Sequence, residues 1–255
     1  MALCLFCNAE RREPLTFRTL LSPETEAGFC PACRDGLKRI NRRNNCLYCG
    51  RDLSLLDQET VRDRICRDCV WWRKSGRNGL YVKNYSVFSY NEFIKEIINQ
   101  FKFRGDSILA DGFACDLRKT FQRIKKEHGT RTAFRLLDKM DASFIIVPIP
   151  LSAARLAERG FNQAEVLAEK MGAPVTNALV RDKHEPKQSK KNRRERLMER
   201  VTPFRINADY ASLIEGGKVL LIDDIYTTGA TIRLAAEALA QANPIEIDSL
   251  TLIHG

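Results

Sequence analysis

The cysteine pattern constrains this chain more than any other feature of its sequence. Eight of its nine cysteines form four Cys-x-x-Cys pairs within the first seventy residues. Two intervening residues let one tight turn aim both sulfurs at a single tetrahedral ion, and two such turns complete a four-thiolate shell. The pattern therefore predicts two structural zinc ions, with no coordination position left open for catalysis. The predicted ligands are Cys4, Cys7, Cys30, Cys33, Cys46, Cys49, Cys66 and Cys69.

Disulfide bonding and redox activity are the competing interpretations of these pairs. The first ten residues carry two cysteines and an acidic residue and do not resemble a secretory signal, so we expect a reducing compartment, which disfavours disulfides. A redox Cys-x-x-Cys usually occurs once in a chain. The spacing leaves the grouping of the turns open, because 16 residues separate Cys49 from Cys66 but 22 separate Cys7 from Cys30. Sequential and cross-braced ligand sets are both compatible with these spacings.

The N-terminal region needs metal to fold, since residues 1–80 contain too few periodic apolar runs to close a core unaided. A polar, glycine-containing stretch at 74–79 predicts the boundary of this region. We therefore expect a cysteine-rich zinc-binding domain at residues 1–78 and a second domain at 79–255. No apolar run approaches the length of about eighteen residues that a membrane span needs.

Positive charge is concentrated in two parts of the chain, whose formal net charge is +10. Residues 1–80 contain 15 basic and 10 acidic side chains, and residues 181–200 contain 9 and 4, whereas the remainder is balanced. Localised basicity indicates a polyanionic partner. The alternative is that the charge only keeps the protein soluble.

The second domain has the pattern of an α/β fold. Apolar runs predict strands at 86–90, 144–150, 174–180, 218–222 and 245–253, and helices at 93–101, 108–126, 152–170 and 229–242. Strands that alternate with helices favour a parallel sheet covered on both faces. Ligands of such sheets bind at the carboxyl ends of the strands.

The segment 219–231 has the chemistry of a phosphate site at such a strand end. An apolar run leads to Asp223 and Asp224, and a Thr/Gly turn then opens the last predicted helix. The first amide groups of a helix, together with threonine hydroxyls, suit a phosphate monoester, and Gly229 would let it approach the backbone closely. The carboxylates would repel phosphate, so they are expected to face sugar hydroxyls or hydrated Mg²⁺. A capped helix after a strand with exposed acids is the alternative.

This segment resembles the phosphoribosyl-pyrophosphate (PRPP) motif of type I phosphoribosyltransferases. Over nearly its full length the chain is similar to the ComF family, late-competence proteins that join such a domain to a zinc-binding module. The resemblance is carried by the cysteine pairs, the PRPP segment, Phe-Lys-Phe-Arg-Gly-Asp at 101–106, Val-Pro-Ile-Pro at 147–150 and Glu-Arg-Gly-Phe-Asn-Gln at 158–163.

The resemblance implies roles for individual residues. Asp223 and Asp224 would be the catalytic carboxylates and would contact the ribose hydroxyls of PRPP, which binds with Mg²⁺. Arg155 and Arg159 would lie on the pyrophosphate side, where guanidinium groups pair well with phosphate oxygens; a solvated helix face is the alternative. The remaining PRPP-binding residues would be Tyr226, Thr227, Thr228, Gly229, Ala230 and Thr231.

The resemblance also implies a role in DNA uptake during natural transformation. The expected partners are single-stranded DNA and a helicase-like competence ATPase (ComFA-like), with the zinc module as its docking surface. The protein would be cytoplasmic and recruited to the inner face of the membrane by the uptake machinery. The expected DNA-binding residues are Lys187, Lys190, Lys191, Arg193 and Arg194.

Two alternative functions remain open at this point. One is a salvage-type transferase that moves ribose 5-phosphate from PRPP to an unidentified base, by displacement of pyrophosphate at ribose C1. The other is a zinc-ribbon scaffold whose phosphate pocket senses a metabolite without chemistry. Only 24 residues follow Thr231, so an acceptor pocket would have to come from elsewhere in the chain.

The cysteine pattern makes a prediction about metal content. Protein purified without added metal should contain about two zinc ions per chain, because each ion takes four thiolates. Elemental analysis measures this content directly. Recovery of disulfide-bonded protein, or of a stable metal-free fold, would contradict the assignment.

Overall fold

The computed structural model describes residues 2–11, 28–57, 60–74, 82–103, 106–129, 144–181 and 202–255. Among these residues, no helix combines the length and the apolar character that crossing a bilayer requires. The described strands are β1 (Ala2–Leu3), β2 (Glu10–Arg11), β3 (Val61–Arg62), β4 (Ile65–Cys66), β5 (Lys83–Ser89), β6 (Ile145–Pro148), β7 (Leu179–Arg181), β8 (Phe204–Ile206), β9 (Lys218–Tyr226) and β10 (Glu246–His254). The described α-helices are α1 (Pro31–Asp35), α2 (Arg67–Lys74), α3 (Glu92–Phe103), α4 (Ala114–Gly129), α5 (Ala153–Arg159), α6 (Gln163–Glu169), α7 (Ala211–Ile214) and α8 (Ala230–Leu239).

Four of the strands form a central parallel sheet in the order β5-β10-β9-β6. The run Val219–Ile222 of β9 is buried, as expected for a strand covered on both faces. The predicted parallel α/β sheet is therefore confirmed. Because the strands are parallel, their carboxyl ends meet at one edge, where Ser89, Tyr226 and His254 lie in register.

Helix α3 packs on the sheet through one apolar face. Ile94, Ile97, Ile98 and Phe101 recur at helical spacing and are all buried. The polar residues between them lie on the outer face of the helix. Its predicted apolar face is confirmed, and its last turn brings Lys102 to the carboxyl edge of the sheet.

The single helix predicted at 152–170 is wrong, because the structure contains two shorter helices, α5 and α6. Gly160 ends α5 in the left-handed region, with φ of 79°. Asn162 then caps α6 by accepting a hydrogen bond from the Ala164 amide. The same side chain donates to the carbonyl of Ile149, 3.0 Å away, and so ties the break to the end of β6.

Two strand predictions also differ from the structure. The region predicted as a strand at 174–180 contributes only one parallel bridge to the central sheet, from Val175 to Ile146. The end of this region, Leu179 and Val180, belongs with Arg181 to β7, which pairs antiparallel with β8 in a separate two-stranded sheet. Strand β9 continues to Tyr226 because its backbone stays paired with β10, so Asp223 and Asp224 lie within the strand and not after it.

The cysteine-rich segments pack against the edge strand β5. The Asn84 amide donates to the Tyr48 carbonyl at 2.8 Å, and the Ile40 amide donates to the Val87 carbonyl at 3.2 Å. Phe29 is buried and contacts Phe113 edge to face, with ring centroids 5.0 Å apart. These contacts cover an edge that would otherwise expose unpaired backbone groups. The predicted domain boundary at 78 lies outside the described residues and stays a prediction.

Candidate functional site

The eight paired cysteines form two clusters of four. One contains Cys4, Cys7, Cys30 and Cys33, and the other Cys46, Cys49, Cys66 and Cys69, with the sulfurs of each cluster within 4.8 Å of one another. Consecutive pairs therefore combine, which settles the grouping in favour of sequential ligand sets. All eight are free thiols, without a disulfide among the described cysteines.

The geometry of both clusters fits a metal ion. The Sγ atoms of Cys7 and Cys30 lie 3.7 Å apart, and those of Cys49 and Cys66 lie 3.6 Å apart. A tetrahedral zinc site with bonds of about 2.3 Å has sulfur–sulfur edges of about 3.8 Å. The Cys30 amide also donates to the Cys4 sulfur at 3.2 Å, as expected around a thiolate. Each cluster could therefore hold one metal ion.

The turn between β9 and α8 has the geometry expected of an anion site. Gly229 precedes α8 with φ of 76°, a conformation that favours glycine. A β-carbon at this position would clash with the Tyr226 hydroxyl and the Arg233 guanidinium. Glycine is therefore required by the turn itself and by its packing. Thr228 Oγ1 accepts from the Ala230 amide, while the turn leaves the N-terminus of α8 at the sheet edge.

The two carboxylates in β9 have different environments. Asp224 forms an ion pair with Lys102 of α3 at 2.5 Å. Asp223 Oδ1 accepts a hydrogen bond from the Asp224 amide at 2.9 Å. Burial and the neighbouring charge of Asp224 raise the pKa of Asp223 to about 8. Without a ligand, the pair therefore carries less negative charge near neutral pH than its sequence indicates.

The second cysteine cluster contacts this turn directly. Trp72, three residues after Cys69, donates from Nε1 to the carbonyl of Thr228 at 2.8 Å. The Arg233 guanidinium lies over the Trp72 ring, 4.2 Å from its centroid. It also donates to the Tyr226 hydroxyl at 3.0 Å and to the Gly229 carbonyl at 3.2 Å. The segment that contains the second cysteine cluster and α8 together hold the turn in place.

Comparison with known proteins agrees with this arrangement. A model of the phosphoribosyl transferase domain matches residues 154–255. The chain is 37% identical to competence protein ComFC of Bacillus subtilis, over 99% of this chain and 95% of the relative. It is 32% identical to ComFC of Streptococcus pneumoniae, over 98% and 99%, and 25% identical to competence protein F of Haemophilus influenzae, over 86% and 87%. The chain belongs to the ComF family. It combines a phosphoribosyltransferase fold with two N-terminal four-cysteine clusters.

In this ComF protein, the predicted pyrophosphate-side arginines lie on α5, which follows β6. Arg155 is exposed, whereas Arg159 is half-buried and donates to Gln163 Oε1 at 2.8 Å. Because β6 pairs with β9, the loop after Pro150 begins at the same sheet edge as the turn. Their role toward pyrophosphate stays a prediction.

The predicted DNA-binding residues, Lys187, Lys190, Lys191, Arg193 and Arg194, lie outside the described residues.

Several site residues were not identified from sequence. Lys102 falls in the string 101–106 that carries the family resemblance, so a signal for it existed. Arg233 sits at an ordinary helical position, and Trp72 lies outside the motifs described above. His254 fits no motif, but it is buried beside Tyr226, and burial and the charge of Arg51 lower its pKa to about 4.

The raised pKa of Asp223 predicts how stability depends on pH. The folded protein keeps a proton that the unfolded chain loses above its ordinary pKa of 3.8, so this group's contribution falls as pH rises from about 4 to 8. Asp223→Asn removes this dependence and should raise the free energy of unfolding by several kcal/mol at pH 8 but little at pH 4. Urea unfolding across this range measures the difference.

Comparing the wild type with Asp223→Asn separates the contribution of Asp223 to stability from that of other titrating groups. His254, with its lowered pKa, makes stability fall as pH drops below about 6.5, but this effect is common to both proteins and cancels. Asp209→Asn, at an exposed carboxylate, is the matched control and should shift the curve little at any pH. A difference between wild type and Asp223→Asn that does not grow with pH would contradict the assignment.

Proposed function

We propose that this ComF protein is a competence protein that binds PRPP with Mg²⁺ at the β9–α8 turn and binds single-stranded DNA through its basic segments, and so assists DNA uptake in natural transformation. One observation carries the proposal: a paired-carboxylate strand and a glycine turn at a helix N-terminus, in a chain related over its full length to two competence proteins.

The turn has the parts that a ribose 5-phosphate group needs. Backbone amides at the start of α8 and the hydroxyls of Thr227, Thr228 and Thr231 suit the phosphate. Asp223 and Asp224 lie on the strand that leads into the turn and suit the ribose hydroxyls. Mg²⁺ bound with PRPP would neutralise pyrophosphate charge, and carboxylate oxygens are ligands that it accepts.

Zinc is the ion that we assign to both cysteine clusters. Four thiolates in tetrahedral spacing are the donor set of structural zinc sites. The second ion would position α2 and therefore Trp72 against Thr228. We infer that the metal supports the phosphate turn through this contact and takes no part in chemistry.

Single-stranded DNA suits the charge distribution of the chain. The excess of basic residues lies in 1–80 and 181–200. Lysine and arginine neutralise phosphates without distinguishing bases, so binding should be largely independent of sequence. We propose that a helicase-like ATPase of the uptake machinery docks on the cysteine-rich part and brings the protein to the inner face of the membrane.

Replacing both carboxylates tests the PRPP site. Asp223→Asn combined with Asp224→Asn should weaken Mg²⁺-dependent PRPP binding by roughly 100-fold or more, since two charge-assisted interactions are lost. Calorimetric titration measures the affinity. Asp209→Asn combined with Asp57→Asn is the control and should bind as wild type does. Undiminished affinity in the Asp223/Asp224 variant would refute the site.

The salt dependence of DNA binding tests the role of the basic segment at 181–200. Alanine at Lys187, Lys190, Lys191, Arg193 and Arg194 should weaken single-stranded DNA binding and flatten the plot of log affinity against log salt, whose slope is roughly −0.7 per phosphate neutralised. Fluorescence anisotropy with a labelled oligonucleotide measures both. Lys95→Ala with Lys126→Ala, outside the charge-rich segments, should leave the slope nearly unchanged. An unaltered slope in the five-residue variant would overturn this part of the proposal.

A further inference from the structure

A second, smaller cavity lies where edge strand β5, helix α4 and the segment 39–45 between the two cysteine clusters meet. Its volume of about 120 Å³ exceeds the roughly 30 Å³ that a water molecule occupies in the liquid, and it is below the roughly 300 Å³ from which sites for drug-sized ligands begin. Strand β10 separates β5 from β9, and no lining residue belongs to the β9–α8 turn. The lining residues are Arg39, Ile40, Arg42, Asn45, Tyr85, Ser86, Val87, Thr120 and Arg123.

Hydrogen bonds fix the wall of the cavity that carries Arg39 and Arg42. Arg39 forms an isolated antiparallel bridge with Phe88 of β5. Arg64 donates to the Arg42 carbonyl at 3.0 Å and to Asn45 Oδ1 at 3.2 Å. Because Oδ1 of Asn45 accepts this bond, the other end of its side-chain amide carries N–H donors. The wall therefore combines guanidinium and amide donors on a backbone that is held in place.

The lining contains three arginines and no acidic residue. Arg39 pairs with the buried Asp116, but this carboxylate is shared, because its second oxygen lies 3.6 Å from Arg34. Among the described residues, Arg42 has no carboxylate partner. The cavity is therefore surrounded by more positive charge than the neighbouring carboxylates balance.

Arg123 of α4 contributes a buried donor that is not used. Its Nε is shielded from solvent and has no hydrogen-bond partner within the described part of the chain. Glu127 Oε1 is 3.6 Å away, beyond hydrogen-bond distance, and the other oxygen of this carboxylate accepts from Lys83 at 3.1 Å. Burial and the nearby charge of Arg42 lower the pKa of Arg123, although a guanidinium stays protonated. An anion between Arg42 and Arg123 would offset their repulsion and satisfy the buried N–H.

We propose that this cavity binds a small oxyanion of the phosphate type, held by the guanidinium groups of Arg42 and Arg123 and by the side-chain amide of Asn45. Guanidinium groups pair well with phosphate oxygens, and these two approach from different elements of the fold. A bound anion would therefore bridge the segment 39–45 and α4. Since a ligand stabilises the state that binds it, docking of the cysteine-rich part on the sheet would respond to phosphate concentration. The proposal does not depend on PRPP binding, because the two sites share no residue.

Calorimetric titration of the full chain with inorganic phosphate at constant ionic strength tests the site. Arg42→Gln should weaken binding by about tenfold or more, since a charge-assisted hydrogen bond is lost. Arg123→Lys keeps the charge but removes the Nε donor, and it should weaken binding by about threefold or more. Arg43→Gln removes the same charge at an exposed neighbour outside the lining, and it should bind as wild type does. Phosphate bound at the β9–α8 turn is common to all four proteins, so differences between them report the cavity.

Urea unfolding separates ligand binding from a structural role. In phosphate-free buffer, Arg42→Gln removes the repulsion with Arg123 and should be at least as stable as Arg43→Gln. Added phosphate should raise the unfolding midpoint of wild type and Arg43→Gln more than that of Arg42→Gln. The order of the stabilities thus depends on the anion.

Each outcome decides for or against the site. Equal phosphate affinity in wild type and Arg42→Gln would overturn it, as would an Arg42→Gln protein that is less stable than Arg43→Gln without phosphate. A single-stranded oligonucleotide, titrated into the same variants, distinguishes the source of the anion. Weakened binding of phosphate alone supports a site for the free ion, and weakened binding of both supports a site for a nucleic-acid phosphate. If only the oligonucleotide binds more weakly, the arginines act as surface charge and the proposal is wrong.

Discussion

Each cysteine cluster gathers four thiol groups at distances that a shared cation makes favourable, and much of the structure depends on this constraint. Sulfur atoms 3.6–3.7 Å apart are too distant for a disulfide bond, and as thiolates they repel one another unless a cation lies between them. Strand β4 ends at Cys66, and α2 contains Cys69, both of the second cluster. An ion bound by this cluster would therefore also position Trp72, one helical turn further along.

The β9–α8 turn is therefore held by two distant parts of the chain. The Trp72–Thr228 hydrogen bond spans 156 residues of sequence, and the stacking of Arg233 on Trp72 lies beside it. The partly buried indole N–H would lose its partner if the cysteine-rich segment moved away, which would be costly. The position of the second cysteine cluster and the conformation of the turn are thus physically linked.

The cysteine-rich segments and the sheet also share buried residues. Cys4, Cys30 and Phe29 belong to the same buried cluster as Phe88 and Phe113. A region too poor in apolar residues to build a core alone gains burial by packing on an existing one. In return it covers the edge strand β5 and places Arg51 within hydrogen-bond reach of the Gly255 carbonyl at the strand ends. One docking surface therefore supports both stability and the candidate site.

The sequence by itself determined the features with a local signal: the ligand turns, the buried run of β9, the apolar face of α3 and the glycine turn before α8. The sulfur grouping, the break of the predicted helix at Gly160, the Asp224–Lys102 ion pair and the pairing of Ser89 with His254 were decided only by the tertiary structure. The physical reason is that these contacts depend on strand register and on how segments dock. Residues such as Ser89 and His254, 165 positions apart, leave no periodic pattern in the chain.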